Sequence, residues 1–420
     1  AAALRELAES RFSVPIGPAG TGKTTLLKVL VNHPAIAGGD VLLLAPTGKA
    51  RVRMQTSTGA SAQTLAQFLI RVDRYDPQTG AYLVIGENKI DAAKTVIVDE
   101  ASMLTEEMLA ALVDSLKGVE RFVLVGDQRQ LPPIGAGRPF FDIVEHLRPE
   151  NVGAAFPRVA NGYAELTVRR RHIGQVRHDV QLADWFSGEP LGAGEDEILS
   201  EIAASSDMPT LRFVEWTGAE DFREILLNTL VEEVEGLESR DDVLGFEQSI
   251  GGSEYEGRAY FHRTKTHAKC EAWQILSPVR GLTHGVRDVN RLVQTTFRSQ
   301  TIDWARQAQF RKIPKPLGPE GIVYGDKVIN LVNKATDWVY PKEGGINYVA
   351  NGEVGVVVGQ FKSRDAKWKR APWKLQVEFS SQPDFAYEFT PGQLQEEGRP
   401  ALELAYAVTV HKAQGSEFGL

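Results

Sequence analysis

One cysteine, Cys270, stands in 420 residues, which rules out an intramolecular disulfide and any cysteine-rich metal site. Such scarcity suits a reducing, cytoplasmic setting. No run of about 18 apolar residues occurs, so no membrane-spanning helix is expected. The longest apolar stretches, "VLLLA" and "VGVVVG", have the length of strands. The opening "AAALRELAES" lacks both the basic lead and the apolar core of a signal peptide. It also lacks Met and starts inside an apparent helix, as a piece of a longer chain would. Positive charge is not in excess either: 47 Lys and Arg against 55 Asp and Glu leave a net charge of −8. A histone-like coating protein is therefore not expected. A local basic groove is still compatible with that total, because screening acts beyond about 10 Å. The stretch "HRTKTHAKC" gathers His262, His267 and Cys270. Three ligands without an evident fourth make a poor structural zinc site, and surface packing is expected instead.

What is present is ordinary globular composition, 42% hydrophobic and 24% charged, over a length that suits two or three domains. "RFSVPIG", "VLLLAPT", "TVIVDE" and "RFVLVGD" read as buried strands. "TTLLKVLVNH", "TLAQFLIRV" and "TEEMLAALVDSL" read as helices between them. Continuous apolar strands alternating with amphipathic helices imply a parallel sheet covered on both faces. Residues 71–94, with "RYDPQTGAYLVIG", read as a β-hairpin inserted into that pattern. After about residue 160 the alternation resumes more loosely, and the acidic run within Glu232–Asp242 reads as a solvated helix face and loop. From about 324 to 400 short strands and turns predict a small β-barrel-like insert, after which "ALELAYAVTV" reads as one strand of the α/β pattern.

The chemistry begins at "GPAGTGKT", which matches the G-x-x-x-x-G-K-[ST] phosphate loop between a strand and a helix. Gly17, Pro18, Ala19, Gly20, Thr21, Gly22, Lys23, Thr24 and Thr25 would surround the phosphates of ATP. In that arrangement Lys23 reaches the β/γ-phosphates and the Thr24 hydroxyl holds Mg²⁺. Asp99, at the end of a buried strand, would meet the same ion, and Glu100 beside it is placed to polarise an attacking water. The loop "GDQRQLPPIGAG" ends the neighbouring strand, and its Gln130 would sense the γ-phosphate or its water.

"GPAGTGKT", "APTGKAR", "VIVDEASM", "LVGDQRQLPPIGAG", "LTVRRRH" and "AVTVHKAQGSEF" stand in the order found in superfamily 1 helicases, and the set resembles the RecD-like branch, which moves 5′→3′ on single-stranded DNA. The resemblance implies an α/β fold of two RecA-like P-loop domains with ATP between them. A β-hairpin insertion would interrupt the first domain and an SH3-like β-barrel insertion the second. Residues 1–70 and 95–160 would form the first domain, with 71–94 as the strand-separating pin. Residues 161–323 and 401–420 would form the second, with 324–400 as the SH3-like insert. It further implies that Arg171, with Arg170 as its alternative, meets the γ-phosphate. Pro46, Thr47, Thr64, Thr409 and His411 would touch the DNA backbone, while Gly415 and Glu417 would face the nucleotide.

The activity so implied is an ATP-dependent 5′→3′ single-stranded DNA translocase or helicase, with ATP and Mg²⁺ bound. Its partners would be single-stranded DNA and single-strand/duplex junctions, within a longer polypeptide or a multi-protein DNA-processing complex near the nucleoid. In relatives a further arginine motif follows the point where this sequence ends, and an adenine-reading Gln precedes its start. An RNA-translocating enzyme of the same superfamily, or a P-loop ATPase module inactive as truncated, are the alternatives. Trp368 and Trp373, among the cations of "KSRDAKWKRAPWK", suit either base stacking or an exposed hairpin.

Overall fold

The computed structural model describes residues 2–18, 20–150, 157–168, 177–186, 197–204, 208–307, 316–336, 338–361, 374–395 and 400–419. The chain divides into two compact units, Ala1–Pro46 with Ala50–Glu215 and Thr47–Lys49 with Trp216–Leu420.

The first unit is built on seven strands: β1 (Phe12–Ile16), β2 (Val41–Ala45), β3 (Ala62–Thr64), β4 (Thr95–Val98), β5 (Arg121–Leu124), β6 (Arg158–Ala160) and β7 (Tyr163–Glu165). Their order is β3–β2–β4–β5–β1–β7–β6. All neighbours are parallel except β6 and β7. The continuous apolar strands foretold two covered faces, and alternate side chains supply them. Val96 and Val98 lie in a core with Phe68 and Leu112, whereas Ile97 lies in another with Leu27 and Leu30. The sheet continues past residue 160, where the sequence reading places a boundary. Val14 and Ile16 pair in register with Tyr163 and Glu165, so that segment completes the first sheet, and the unit runs on to Glu215.

Residues 71–94 form a shorter hairpin than expected. Tyr75 and Tyr82 make one antiparallel bridge, and the Leu83 amide donates to the Arg74 carbonyl at 2.9 Å. Its geometry is fixed from the helix Glu106–Ser115. The Asp114 carboxylate accepts from Arg74 Nε at 2.9 Å and from the amides of Ile85 and Gly86 at 3.0 and 3.1 Å.

In the second unit a small hairpin, β8 (Ser253–Tyr255) with β9 (Arg258–Tyr260), precedes β10 (Ile275–Ser277). The insert holds β11 (Lys327–Asn330), β12 (Lys334–Ala335), β13 (Val339–Tyr340), β14 (Tyr348–Val349), β15 (Val354–Phe361), β16 (Lys374–Phe379) and β17 (Ala386–Phe389); β18 (Leu402–Leu404) and β19 (Ala407–Thr409) follow. A six-stranded antiparallel sheet, β13–β17–β16–β15–β11–β18, accounts for most of the β-rich segment. The stretch expected as a single strand is split. Leu402–Leu404 joins the antiparallel sheet, while Ala407–Thr409 pairs in parallel with β10. The residues between are pinned: the buried Tyr406 hydroxyl donates to Asp326 Oδ1 at 2.9 Å, and Gln274 Nε2 donates to the carbonyls of Ala405 and Tyr406. Helix Val286–Phe297 covers β19, its buried Asn290 amide donating to the Leu404 and Ala407 carbonyls at 2.9 Å each.

Candidate active site

β5 lies between β4 and β1, so the loops leaving the C-terminal ends of these three parallel strands adjoin. They are Gly17–Thr24, Asp99–Glu100 and Gly126–Gln130. The first loop turns at Gly17, whose φ of 157° and closeness to Leu166 exclude a side chain. A Cβ there would lie 2.4 Å from the Leu166 carbonyl oxygen. At Gly22 the requirement is conformational, since φ is 92° and the space around it is open. Helix α1 of this site (Lys23–Val31) starts directly after it, with no side chain among the described residues capping its start. Those unspent N–H groups and the helix dipole make an anion seat.

Lys23 folds back onto its own loop, donating to the carbonyls of Gly17 at 2.5 Å and Pro18 at 3.1 Å. Burial lowers its pKa, against the opposing pull of Asp127, Glu100 and Asp99. Thr24 is half-buried and Thr25 exposed, so of the two hydroxyls Thr24 is the more enclosed. Ala19 lies outside the described residues.

Asp99 and Glu100 are both buried. The Asp99 amide continues the strand ladder to Leu44, and Asp99 Oδ1 accepts from the Glu100 amide at 2.9 Å. Burial first, and the Glu100 charge second, push the Asp99 carboxyl up to about 6. Glu100 adopts φ 51°, the left-handed region that costs a side-chain-bearing residue energy. Arg53 Nη1 stands 3.7 Å from Glu100 Oε1, whereas Glu100 Oε2 is buried and meets no hydrogen-bond donor among the described residues. Gln130 Oε1 lies 3.5 Å from Ser102 Oγ, and its amide donates to the Asp127 carbonyl at 3.1 Å. Asp127 Oδ1 in turn accepts from the Arg129 amide at 3.1 Å.

These residues fit a nucleoside triphosphate with a hard divalent cation. A glycine cradle and an unspent helix start suit phosphate, while Thr24 and Asp99 offer the oxygen donors magnesium prefers. A buried carboxylate with an elevated pKa is a group that a cation would restore to its charged form. The sequence reading missed Arg53, Ser102, Asp127 and Arg129. The one signal available was their position inside motif-bearing stretches.

The remaining expected residues fare differently. Thr64 is 1% exposed and its hydroxyl caps helix Leu65–Arg71, accepting from the Gln67 amide at 3.1 Å while Gln67 Oε1 accepts from the Thr64 amide at 2.8 Å. The hydroxyl expected to meet the DNA backbone is thus engaged with its own helix, on a buried residue. Pro46 and Thr47 are half-buried after β2. Thr409 caps helix Val410–Ala413, accepting from the Lys412 amide, and His411 on that helix is half-buried. Gly415 has φ 75° and Glu417 is exposed. Arg170, Arg171, Trp368 and Trp373 lie outside the described residues. Cys270 is buried rather than on the surface, its thiol pushed up to about 12 by that burial. The group of ligand-type atoms near it is His267, Glu378 and Asp384, without the cysteine.

Residues 1–154 match the model of a family described as an AAA domain. The chain is 35% identical to the ATP-dependent RecD2 DNA helicase of Deinococcus radiodurans, an alignment covering 100% of this chain and 44% of that protein. With the RecBCD enzyme subunit RecD of Haemophilus influenzae it shares 23% identity over 98% of the chain and 61% of the relative. A crystal structure of Bacteroides Pif1 bound to ssDNA is similar at 18% identity over 99% of this chain and 82% of that one, with a TM-score of 0.42. The likeness to proteins named RecD2 and RecD runs the length of the chain. The chain spans less than two thirds of either curated relative.

Proposed function

We propose that this chain is the motor core of an ATP-dependent 5′→3′ single-stranded DNA translocase or helicase. One observation carries the reading: Lys23, the Asp99–Glu100 pair and the Gln130 loop converge at three adjacent strand ends, and Glu100 keeps a buried oxygen that meets no hydrogen-bond donor among the described residues. A binding switch has no need of such an oxygen; a hydrolase uses it to take a proton from water. The 35% identity to a protein named an ATP-dependent DNA helicase supports DNA as the track.

In this reading Lys23 exchanges its loop carbonyls for the β/γ-phosphates, and Thr24 with Asp99 would hold magnesium. Bound magnesium neutralises charge on the phosphate oxygens. Glu100 receives the water proton at Oε2, while Arg53 steadies Oε1. Gln130 reports the state of the γ-phosphate, and Arg171 adds positive charge there. The hairpin at 71–94 serves as the strand-separating pin, and the six-stranded sheet as the SH3-like accessory domain. Thr47, Thr409 and His411 grip the strand backbone. The setting is cytoplasmic, at the nucleoid, inside a larger polypeptide or DNA-processing complex.

The test is ATP hydrolysis with and without single-stranded DNA, alongside Lys23→Ala as a blank. Strong stimulation by DNA is expected, and duplexes with a 5′ tail should be unwound in preference to those with a 3′ tail. Flat turnover despite tight ATP binding would overturn the translocase reading, and stronger stimulation by RNA would overturn DNA as the track.

A further inference from the structure

We propose that Trp216, backed by His284 and Phe222, is a stacking platform for one base of the bound single strand, an inference that rests on the translocase reading. Trp216 is a 45% exposed aromatic ring in the second unit. Its centroid lies 5.2 Å from Phe222, edge to face, and 5.5 Å from His284. Phe222 and His284 are half-buried, so the trio has a packed side and an open one.

A plainer account explains part of this. Trp216 lies two residues before the N-cap Gly218 of helix Ala219–Glu233 and packs on Phe222 at the fourth helical position, one residue outside the register of a hydrophobic staple but like it in effect. A staple does not require His284, which comes from the loop after β10, and it gains from hiding the ring rather than leaving it open. What the staple does supply is rigidity. The Thr217 amide and hydroxyl both donate to Asp221 Oδ2, at 2.7 and 3.1 Å, fixing the backbone that carries Trp216. A ring already held in place loses little freedom on stacking.

The loop that carries His284 places the platform beside the residues expected to hold the strand. Ser277 Oγ lies 2.9 Å from the His284 carbonyl oxygen and 3.0 Å from that of Val279, folding residues 279–284 back over the end of β10. Ser277 pairs in register with Thr409, whose helix carries His411. Cations flank the same edge. Arg280 and Lys412 share the Glu403 carboxylate, at 2.5 and 3.4 Å, and Arg287 is exposed. A flat ring with cations beside a backbone grip is the arrangement that takes successive nucleotides without reading sequence.

The experiment is fluorescence anisotropy with labelled oligo-dT and an abasic oligomer of equal length. Wild type should bind oligo-dT more tightly than the abasic strand. Trp216→Ala should weaken oligo-dT binding by roughly five- to 150-fold while leaving the abasic strand within about twofold. Trp216→Phe, which keeps a ring, should restore most of the loss, and Trp216→Leu, which keeps apolar bulk without a flat ring, should show the same selective loss on oligo-dT and stands in if the alanine variant fails to fold. Unchanged oligo-dT affinity in Trp216→Ala, or an equal loss on both oligomers, would overturn the platform while leaving the translocase reading intact. Failure of wild type to bind either oligomer would instead overturn that reading, and the platform with it.

Discussion

Lys23, Asp99 and Glu100 could be read from their motifs because each sits where a strand ends, and strand ends are visible as the close of an apolar run. Their neighbours were hidden for a physical reason. Arg53 reaches Glu100 from a helix some 47 positions earlier in sequence, and Asp127 acts on Lys23 only because β5 lies next to β1. Glu100→Gln keeps the shape of the side chain but cannot accept the water proton. It should bind ATP normally and lose turnover by at least about 10²-fold in a phosphate-release assay; normal turnover would remove the general base. Asp99 offers a second measurement. Burial and the neighbouring Glu100 charge push its carboxyl up to about 6, from the ordinary aspartate value of about 4. A raised folded value means the native state binds the extra proton, so ionising Asp99 costs stability above pH 6, and the cost disappears as pH falls below about 4. Without nucleotide or magnesium, Asp99→Asn should therefore stabilise the protein at pH 7 by about 3 kcal/mol, with the gain gone near pH 4. Urea unfolding at the two pH values measures it, and an equal effect at both would exclude this burial cost.

At the scale of elements, the alternation of buried strands and helices was legible, whereas two joins were not. β7 lies beyond the expected boundary because its pairing with β1 leaves no local pattern, and "ALELAYAVTV" is split by the anchoring of Tyr406 on Asp326. Thr64 shows how one residue type admits two readings. A Thr before an apolar helix suits a backbone grip by resemblance and a capping box by spacing, with Gln67 at the third helical position. Thr64→Ala should cost about 1 kcal/mol in unfolding and leave oligo-dT affinity within twofold. A large loss of affinity at unchanged stability would reinstate the DNA contact. The hairpin depends on one carboxylate in the same way. Asp114→Ala would leave Arg74, which is 1% exposed, with the carbonyls of Val72 and Glu87 but without its carboxylate, and would free two loop amides. Limited proteolysis should then cut within residues 74–86 at least tenfold faster, and strand displacement should fall while DNA-stimulated ATPase stays near wild type. Loss of both activities together would make the clamp part of the motor rather than of the hairpin.

For the whole molecule, a net charge of −8 must be reconciled with a polyanionic track. Charges farther than about 10 Å from a phosphate are largely screened at physiological salt, so the total acts weakly and the local cations decide. A grip on the backbone releases counterions, and for a single strand the slope of log affinity against log salt is about −0.7 per phosphate neutralised. If four to six phosphates are held, that slope should be roughly −3 to −4. Arg287→Ala, which removes an exposed cation on a residue whose amide donates to the Arg280 carbonyl, should make the slope shallower by about 0.7. Trp216→Ala, which removes a ring and no charge, should lower affinity at every salt concentration and leave the slope alone. Anisotropy titrations across a salt series separate the two effects. A slope near zero in wild type would mean that stacked bases, rather than phosphates, hold the strand, and the backbone grip of the translocase reading would fall.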